Sequence, residues 1–167
     1  MILVALWKSQ LTLVSIKIIE DYVGHMVNQQ RLIISLFVIR VSVGLFFLIW
    51  AIEKIVHPEL TNQVFSTFYH LQIPNALSIG FGILQLLIVL MFMVGLFKIW
   101  SYGLLLGMHA VSTISTYERL LNPYEPPNHL FWAAVPTLGA IIALFLLRKG
   151  DRLLTAELFL PVREKKL

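Results

Sequence analysis

Residues 36–58 read LFVIRVSVGLFFLIWAIEKIVHP. Across 32–55, 16 of the 24 residues are Leu, Ile, Val or Phe, and ~20 apolar residues suffice to cross a ~30 Å hydrocarbon layer. Arg40 stands inside this stretch. An arginine there costs roughly 2.5–3.5 kcal/mol, while each large apolar residue returns up to ~0.5 kcal/mol. The apolar terms win, and the stretch reads as a membrane span. Further windows qualify at about 76–97, 100–120 and 130–148. No charged residue occurs from Leu60 to Phe97, from Ile99 to Tyr117 or from Pro126 to Leu147.

The whole chain agrees with this reading. Of its 167 residues 58% are hydrophobic and 13% charged, where a soluble domain sits near 45–50% and ~25%. An ordinary soluble fold is excluded, and so is a disordered chain, which would be poor in apolar residues. There is no cysteine, which removes disulfides, thiolate metal sites, Fe–S clusters and cysteine nucleophiles. The expected class is an all-α integral membrane protein. It should be a four-transmembrane-helix bundle with an N-terminal interfacial helix and a short outer amphipathic helix.

Orientation follows from basic residues in short loops. With the N-terminus inside, Lys8, Lys17, Arg31, Lys98, Arg148, Lys149, Arg152, Arg163, Lys165 and Lys166 lie on the inner side. Only Lys54 and Arg119 lie outside. Both termini are therefore expected in the cytoplasm. The formal net charge of +4 marks the ends of spans rather than a solvated basic stripe, so nucleic acid is not an expected partner.

The connections fit. Lys98 sits in a short inner turn, which makes spans two and three an antiparallel hairpin. In the longer outer segment, Leu60, Val64, Phe68 and Leu71 recur at roughly helical spacing, as in a short interfacial helix stopped before Pro74. The second outer loop, NPYEPPNH, is stiffened by three prolines. Residues 1–30 are apolar but broken by Lys8 and Lys17, and lack the cleavage pattern of a signal peptide. They are expected to form an interfacial segment, followed by the membrane domain over 31–155 and a basic cytoplasmic tail over 156–167.

Polar groups inside a span need a reason. Arg40 lies ~12 Å from the inner end of span one, with no carboxylate expected at its depth. It could donate to an anion or a quinone carbonyl, or satisfy backbone carbonyls and Gln85 between helices. His109 sits mid-span, followed by Ser112, Thr113 and Thr116. Span two offers Ser78, Gly82 and Gln85 at matching spacing. The two readings are helix packing and a ligand or proton path lined by Arg40, Gln85, His109, Ser112 and Thr116. At the outer end, Trp50, Glu53 and Lys54 face Glu118 and Arg119, whose charges could pair across helices. His57, His70, His129 and Glu59 match no ligand motif, so no metal is expected. His109 has no second membrane histidine at its depth to hold a haem. Phosphate loops, dinucleotide-binding glycine patterns and nucleophile elbows are missing, and no catalytic residue is assigned.

Arg40, Gly44, Phe46–Phe47 and Lys54 occur in order along span one. An amphipathic outer segment ending Ile73–Pro74, a glycine-containing second span and a charged inner turn follow. A fourth span then opens with NHLFWAAVPTLGA and closes on RKGD. Over about residues 31–155 this pattern resembles the DoxX / DoxD-like family of small four-helix bacterial membrane proteins. The family's glycine before the span-one lysine is Ala51 here, and its glycine-rich closing pattern is reduced to Gly150–Asp151. The resemblance implies a prokaryotic inner-membrane protein that is an accessory or quinone-associated subunit of an oxidoreductase system. At most it would be a non-catalytic or quinone-binding subunit; no cofactor is evident from the residues, and quinone is the one the resemblance allows. Its partners would be the lipid bilayer, a redox subunit or further copies of itself. A small oligomeric transporter or channel-like protein and a ligand-free membrane scaffold are the competing readings.

Overall fold

The computed structural model describes residues 2–156, with the backbone alone described for residues 2–16, 18, 20 and 21. The expected basic tail beyond residue 156 and the Lys8 side chain lie outside the described residues. Among the described residues six α-helices follow one another: α1 (Ile2–Val56), α2 (Pro58–Phe68), α3 (Asn75–Met93), α4 (Lys98–Ser115), α5 (Tyr117–Leu121) and α6 (Ala134–Leu146). A 3₁₀ turn over Asn128–Ala133 leads into α6. Among the described residues there is no strand.

Among the described residues, three helical stretches are long and apolar enough to cross a membrane: Tyr22–Val56 within α1, α3, and Asn128–Leu146. The expected third span, α4, does not reach that standard. Its 18 residues include Lys98, Ser101, His109, Ser112, Thr113 and Ser115, which dilute its apolar content. Its packing explains why these residues are tolerated. Lys98, Ser101, Tyr102, His109 and Thr113 are buried, so α4 turns much of its polarity inward and relies on its neighbours.

Those neighbours form a ring. α1 packs on α3 and α6, and α4 packs on the same two helices. Leu36, Val43, Phe47, Ile88, Val89, Phe92, Tyr102, Leu105, Ile141 and Leu144 meet in a common core. Short connections between successive helices favour antiparallel neighbours, and the turn from α3 to α4 is closed within Val94–Phe97 by Gly95 and Phe97, both at positive φ.

The α1–α3 contact is the most extensive one among the described residues. Ser78 Oγ donates to the Lys54 carbonyl at 3.3 Å, and Gln85 Nε2 donates to the Phe47 carbonyl at 3.3 Å. Between them sits Gly82. A Cβ at this position would lie 2.7 Å from Ile55 Cγ1 and 3.1 Å from the Ala51 carbonyl oxygen. Small residues let backbones approach where lipid offers no hydrophobic drive between helices. The spacing 78, 82, 85 is thus the α3 side of a helix crossing, and fully buried Ala51 is part of the α1 side.

The sequence boundary near residue 30 has no counterpart in the backbone. α1 runs without a break from Ile2 through span one, a length of about 80 Å at 1.5 Å per residue. From Tyr22 to Leu32 its side chains are exposed, so the helix extends past the bundle. α2 forms where a short outer helix is expected and leaves Leu60 and Val64 on the outside. Its other side holds to the bundle through Phe65 stacked on Phe81 and Phe68 edge-on to Phe131.

Gly82→Val is expected to lower the melting temperature of the detergent-solubilised protein, at a cost of about 1–3 kcal/mol for overpacking. Gly80→Val, at a position where a Cβ meets nothing within 4 Å, is expected to change it little.

Candidate functional site

A guanidinium in a helix bundle needs a counter-charge and several acceptors. Arg40 is fully buried, and Asp151 supplies the charge: Nη1 lies 3.4 Å from Asp151 Oδ2. The Tyr102 hydroxyl of α4 donates to the same carboxylate oxygen at 2.6 Å. Arg40 Nη2 donates to the Leu153 carbonyl and, at 3.4 Å, to the Leu154 carbonyl. The Phe37 ring lies beside the guanidinium carbon at 5.4 Å. The expectation of no carboxylate at this depth is therefore corrected. After α6 the chain turns back beneath the bundle and brings Asp151, also fully buried, to Arg40.

Local sequence makes that return feasible. Gly150 closes the turn after α6 by donating its N–H to the Leu147 carbonyl at 2.8 Å. Residues 151–156 then form a strap whose Ala156 N–H donates to the Val94 carbonyl at 2.7 Å. Gly95 has φ +64, and a side chain there would meet the guanidinium Nη1 of Arg40 and, at 2.7 Å, Thr155 Cγ2. A glycine is needed both for the turn and for the close approach. Arg40 Nε and Nη1 and Asp151 Oδ1 make no hydrogen bond within the protein, so the pair is held chiefly through Oδ2 and the strap carbonyls.

The other proposed interior residues do not join this group. His109 Nε2 lies 3.0 Å from the Ala134 carbonyl. Because a carbonyl only accepts, Nε2 carries the proton in this contact. The imidazole is wedged edge-on against Phe46 and Phe47, with ring centroids 6.1 and 5.3 Å away. Gln85 is spent on the Phe47 carbonyl. Thr113 and Thr116 are buried and donate back to carbonyls of their own helix, at His109 and Thr113 respectively. Ser112 is exposed, so its expected place on an interior stripe is corrected. A residue three positions on from His109 is rotated about 60° away, and Thr113 and Thr116 take the interior positions instead.

At the far end, the charges expected to cross-pair find other partners. Lys54 Nζ donates to the Trp50 carbonyl at 3.3 Å and lies 5.9 Å from the Trp50 ring centroid. Arg119 Nη1 reaches Asn128 Oδ1 at 3.4 Å, while Glu118 accepts from the Tyr117 hydroxyl at 3.2 Å. Glu53 is half-buried on the same end of α1. Asn128, which the sequence did not single out, is the hub of the proline-rich loop. It is buried and donates to the Asn122 carbonyl at 3.0 Å. His57 and Glu59 pair at 3.2 Å on the surface. Among the described residues, no three His, Cys, Asp or Glu side chains gather as a metal site would require.

Asp151 and Tyr102 are the residues that sequence reasoning missed. Asp151 was visible only as the end of an RKGD motif, and Tyr102 only as an aromatic residue near the start of a span. Compared with known protein families, curated proteins and solved structures, the chain matches none.

Asp151→Leu is expected to strand a buried guanidinium and cost about 3–5 kcal/mol of stability. Arg40→Leu combined with Asp151→Leu should recover most of that loss, because an apolar pair needs no counter-charge. Denaturation of the four-member mutant cycle in detergent measures the coupling.

Proposed function

We propose that this chain is a four-span, DoxX-like protein of a prokaryotic inner membrane, with both termini cytoplasmic. Its proposed role is that of a non-catalytic accessory subunit in an oxidoreductase system. Three apolar helices and a fourth with an inward-turned polar face support the four-span reading. Lys98, Arg148, Lys149 and Arg152 all lie at one end and support the orientation by the positive-inside rule. The association with redox machinery rests on the DoxX-like pattern of residues 31–155.

One observation carries the non-catalytic part. The interior polar side chains bind the bundle itself: Arg40 holds Asp151 and the strap, His109 faces the Ala134 carbonyl, and Gln85 faces the Phe47 carbonyl. A quinone carbonyl would have to compete with these contacts, and a proton path would have to pass Thr113 and Thr116, which are bonded to their own helix. Arg40, Gln85 and His109 therefore serve the architecture in this proposal. Electrons would pass through a partner, with this chain holding or stabilising it.

Two measurements test the role. Affinity purification from native membranes in mild detergent, followed by native mass spectrometry, is expected to return a redox subunit with this chain. Recovery of the chain alone, or with copies of itself, would contradict the accessory role and favour a scaffold. In the same membranes, His109→Leu is expected to lower the amount of folded protein and leave redox activity per folded molecule unchanged. A fall in activity at constant abundance would return His109 to a ligand or proton path.

A further inference from the structure

Arg40 of α1 and Tyr102 of α4 are donors fixed in the bundle, and both are fully buried. The acceptor they share comes from elsewhere. Asp151 belongs to the strap after α6, which bonds to the bundle through the Leu153 and Leu154 carbonyls and the Ala156 N–H. Tyr102 lies about one turn inside α4, so the two donors sit close behind the strap.

The fit of Asp151 is incomplete. A guanidinium and a carboxylate can pair through two parallel N–H···O bonds, but here Oδ2 alone takes part. It accepts from the Tyr102 hydroxyl at 2.6 Å and lies 3.4 Å from Arg40 Nη1. Oδ1 has no hydrogen-bond partner, and neither have Arg40 Nε and Nη1, although all three atoms are buried. Unmet buried donors are costly, so the bundle offers more hydrogen bonds than the aspartate takes up. Among the described residues, no other acid lies within ion-pair reach of Arg40.

The strap is also set against its own backbone preference. Leu154 has φ +49, a left-handed conformation that is unfavourable for any residue with a Cβ. Its side chain is 71% exposed, so packing on the bundle does not offset that strain. What offsets it is the pair of carbonyls, of Leu153 and Leu154, that face Arg40 Nη2.

We propose that Arg40 and Tyr102 form a binding site for a small carboxylate, which Asp151 occupies as a built-in and displaceable ligand. A free carboxylate can turn both oxygens toward the donors that the tethered aspartate leaves unmet, and its binding releases the strap. An uncharged ligand would leave the buried guanidinium without a counter-charge, and a spherical anion lacks the second oxygen. Arg40 keeps its place in the bundle throughout, because one carboxylate replaces another. The proposal needs neither the membrane orientation nor the accessory role.

The test uses the full-length protein in neutral detergent, with sodium formate as the probe and sodium chloride at equal ionic strength as the control. Asp151→Ala removes the one group that formate supplies. Its melting temperature should fall, and formate should raise it saturably, by roughly 3–6 °C at about ten times the dissociation constant. Arg40→Leu combined with Asp151→Ala should show no such rise. In the wild-type protein, amide hydrogen exchange read by mass spectrometry should be faster over residues 151–156 in formate than in chloride, and unchanged over α3. That comparison stands whether or not Asp151→Ala folds. Equal stabilisation of Asp151→Ala by chloride would overturn the proposal, as would a formate effect that survives the loss of Arg40. Unchanged strap exchange in the wild-type protein would also overturn it, by making Asp151 a permanent member of the fold.

Discussion

A fully buried guanidinium constrains this bundle more than any other group. Arg40 sits on the longest helix at the level where α3 turns into α4, and desolvating its charge is costly unless a counter-ion and acceptors come with it. The chain supplies them from beyond α6. Asp151 provides the charge, Leu153 and Leu154 provide carbonyls, and Tyr102 of α4 holds the carboxylate from the other side. α1 and α4 lie on opposite sides of the helical ring, and this cluster spans the diagonal. The strap over residues 151–156 is thereby tied to three elements at once, since Ala156 also bonds to the α3–α4 turn.

Much of the helix arrangement was legible because membrane helices are written in long apolar windows. α3, the Asn128–Leu146 segment and the span within α1 coincide with such windows, and Pro74 stands immediately before α3. The α1–α3 contact was legible as well, since Ser78, Gly82 and Gln85 share one helical face. The strap was not. Arg40 and Leu153 are 113 residues apart, and no periodicity connects a buried arginine to an aspartate in a turn. Ser112 was misplaced for a different reason: a helix turns about 100° per residue, so small errors in the assumed facing move a residue from inside to outside. The continuation of α1 through residue 30 was hidden because Lys8 and Lys17 interrupt the apolar run of residues 1–30, although neither residue type breaks a helix.

The functional consequence is a division between the two halves of the molecule's polar chemistry. Inside, polar atoms are largely consumed by the fold, and His109, Gln85 and Arg40 brace helices. At the end where α6 turns back, a groove lined by Lys98, Arg148, Lys149 and Arg152 has exposed Phe97 and Trp100 beside it. The strap joins these regions, because Thr155 both contacts the space beside Gly95 and lines the groove. Interior and surface are thus fixed by one segment of chain, and the buried ion pair sets where that segment sits.

The most direct test of this account is a cross-link across the strap. The chain contains no cysteine, so Val94→Cys with Ala156→Cys introduces a single pair where the backbones already hydrogen-bond. Oxidation should join the two cysteines efficiently in the otherwise native protein and poorly once Arg40→Leu is added. Equal cross-linking with and without Arg40 would contradict the claim that the buried guanidinium holds the strap and, through it, the closed end of the bundle.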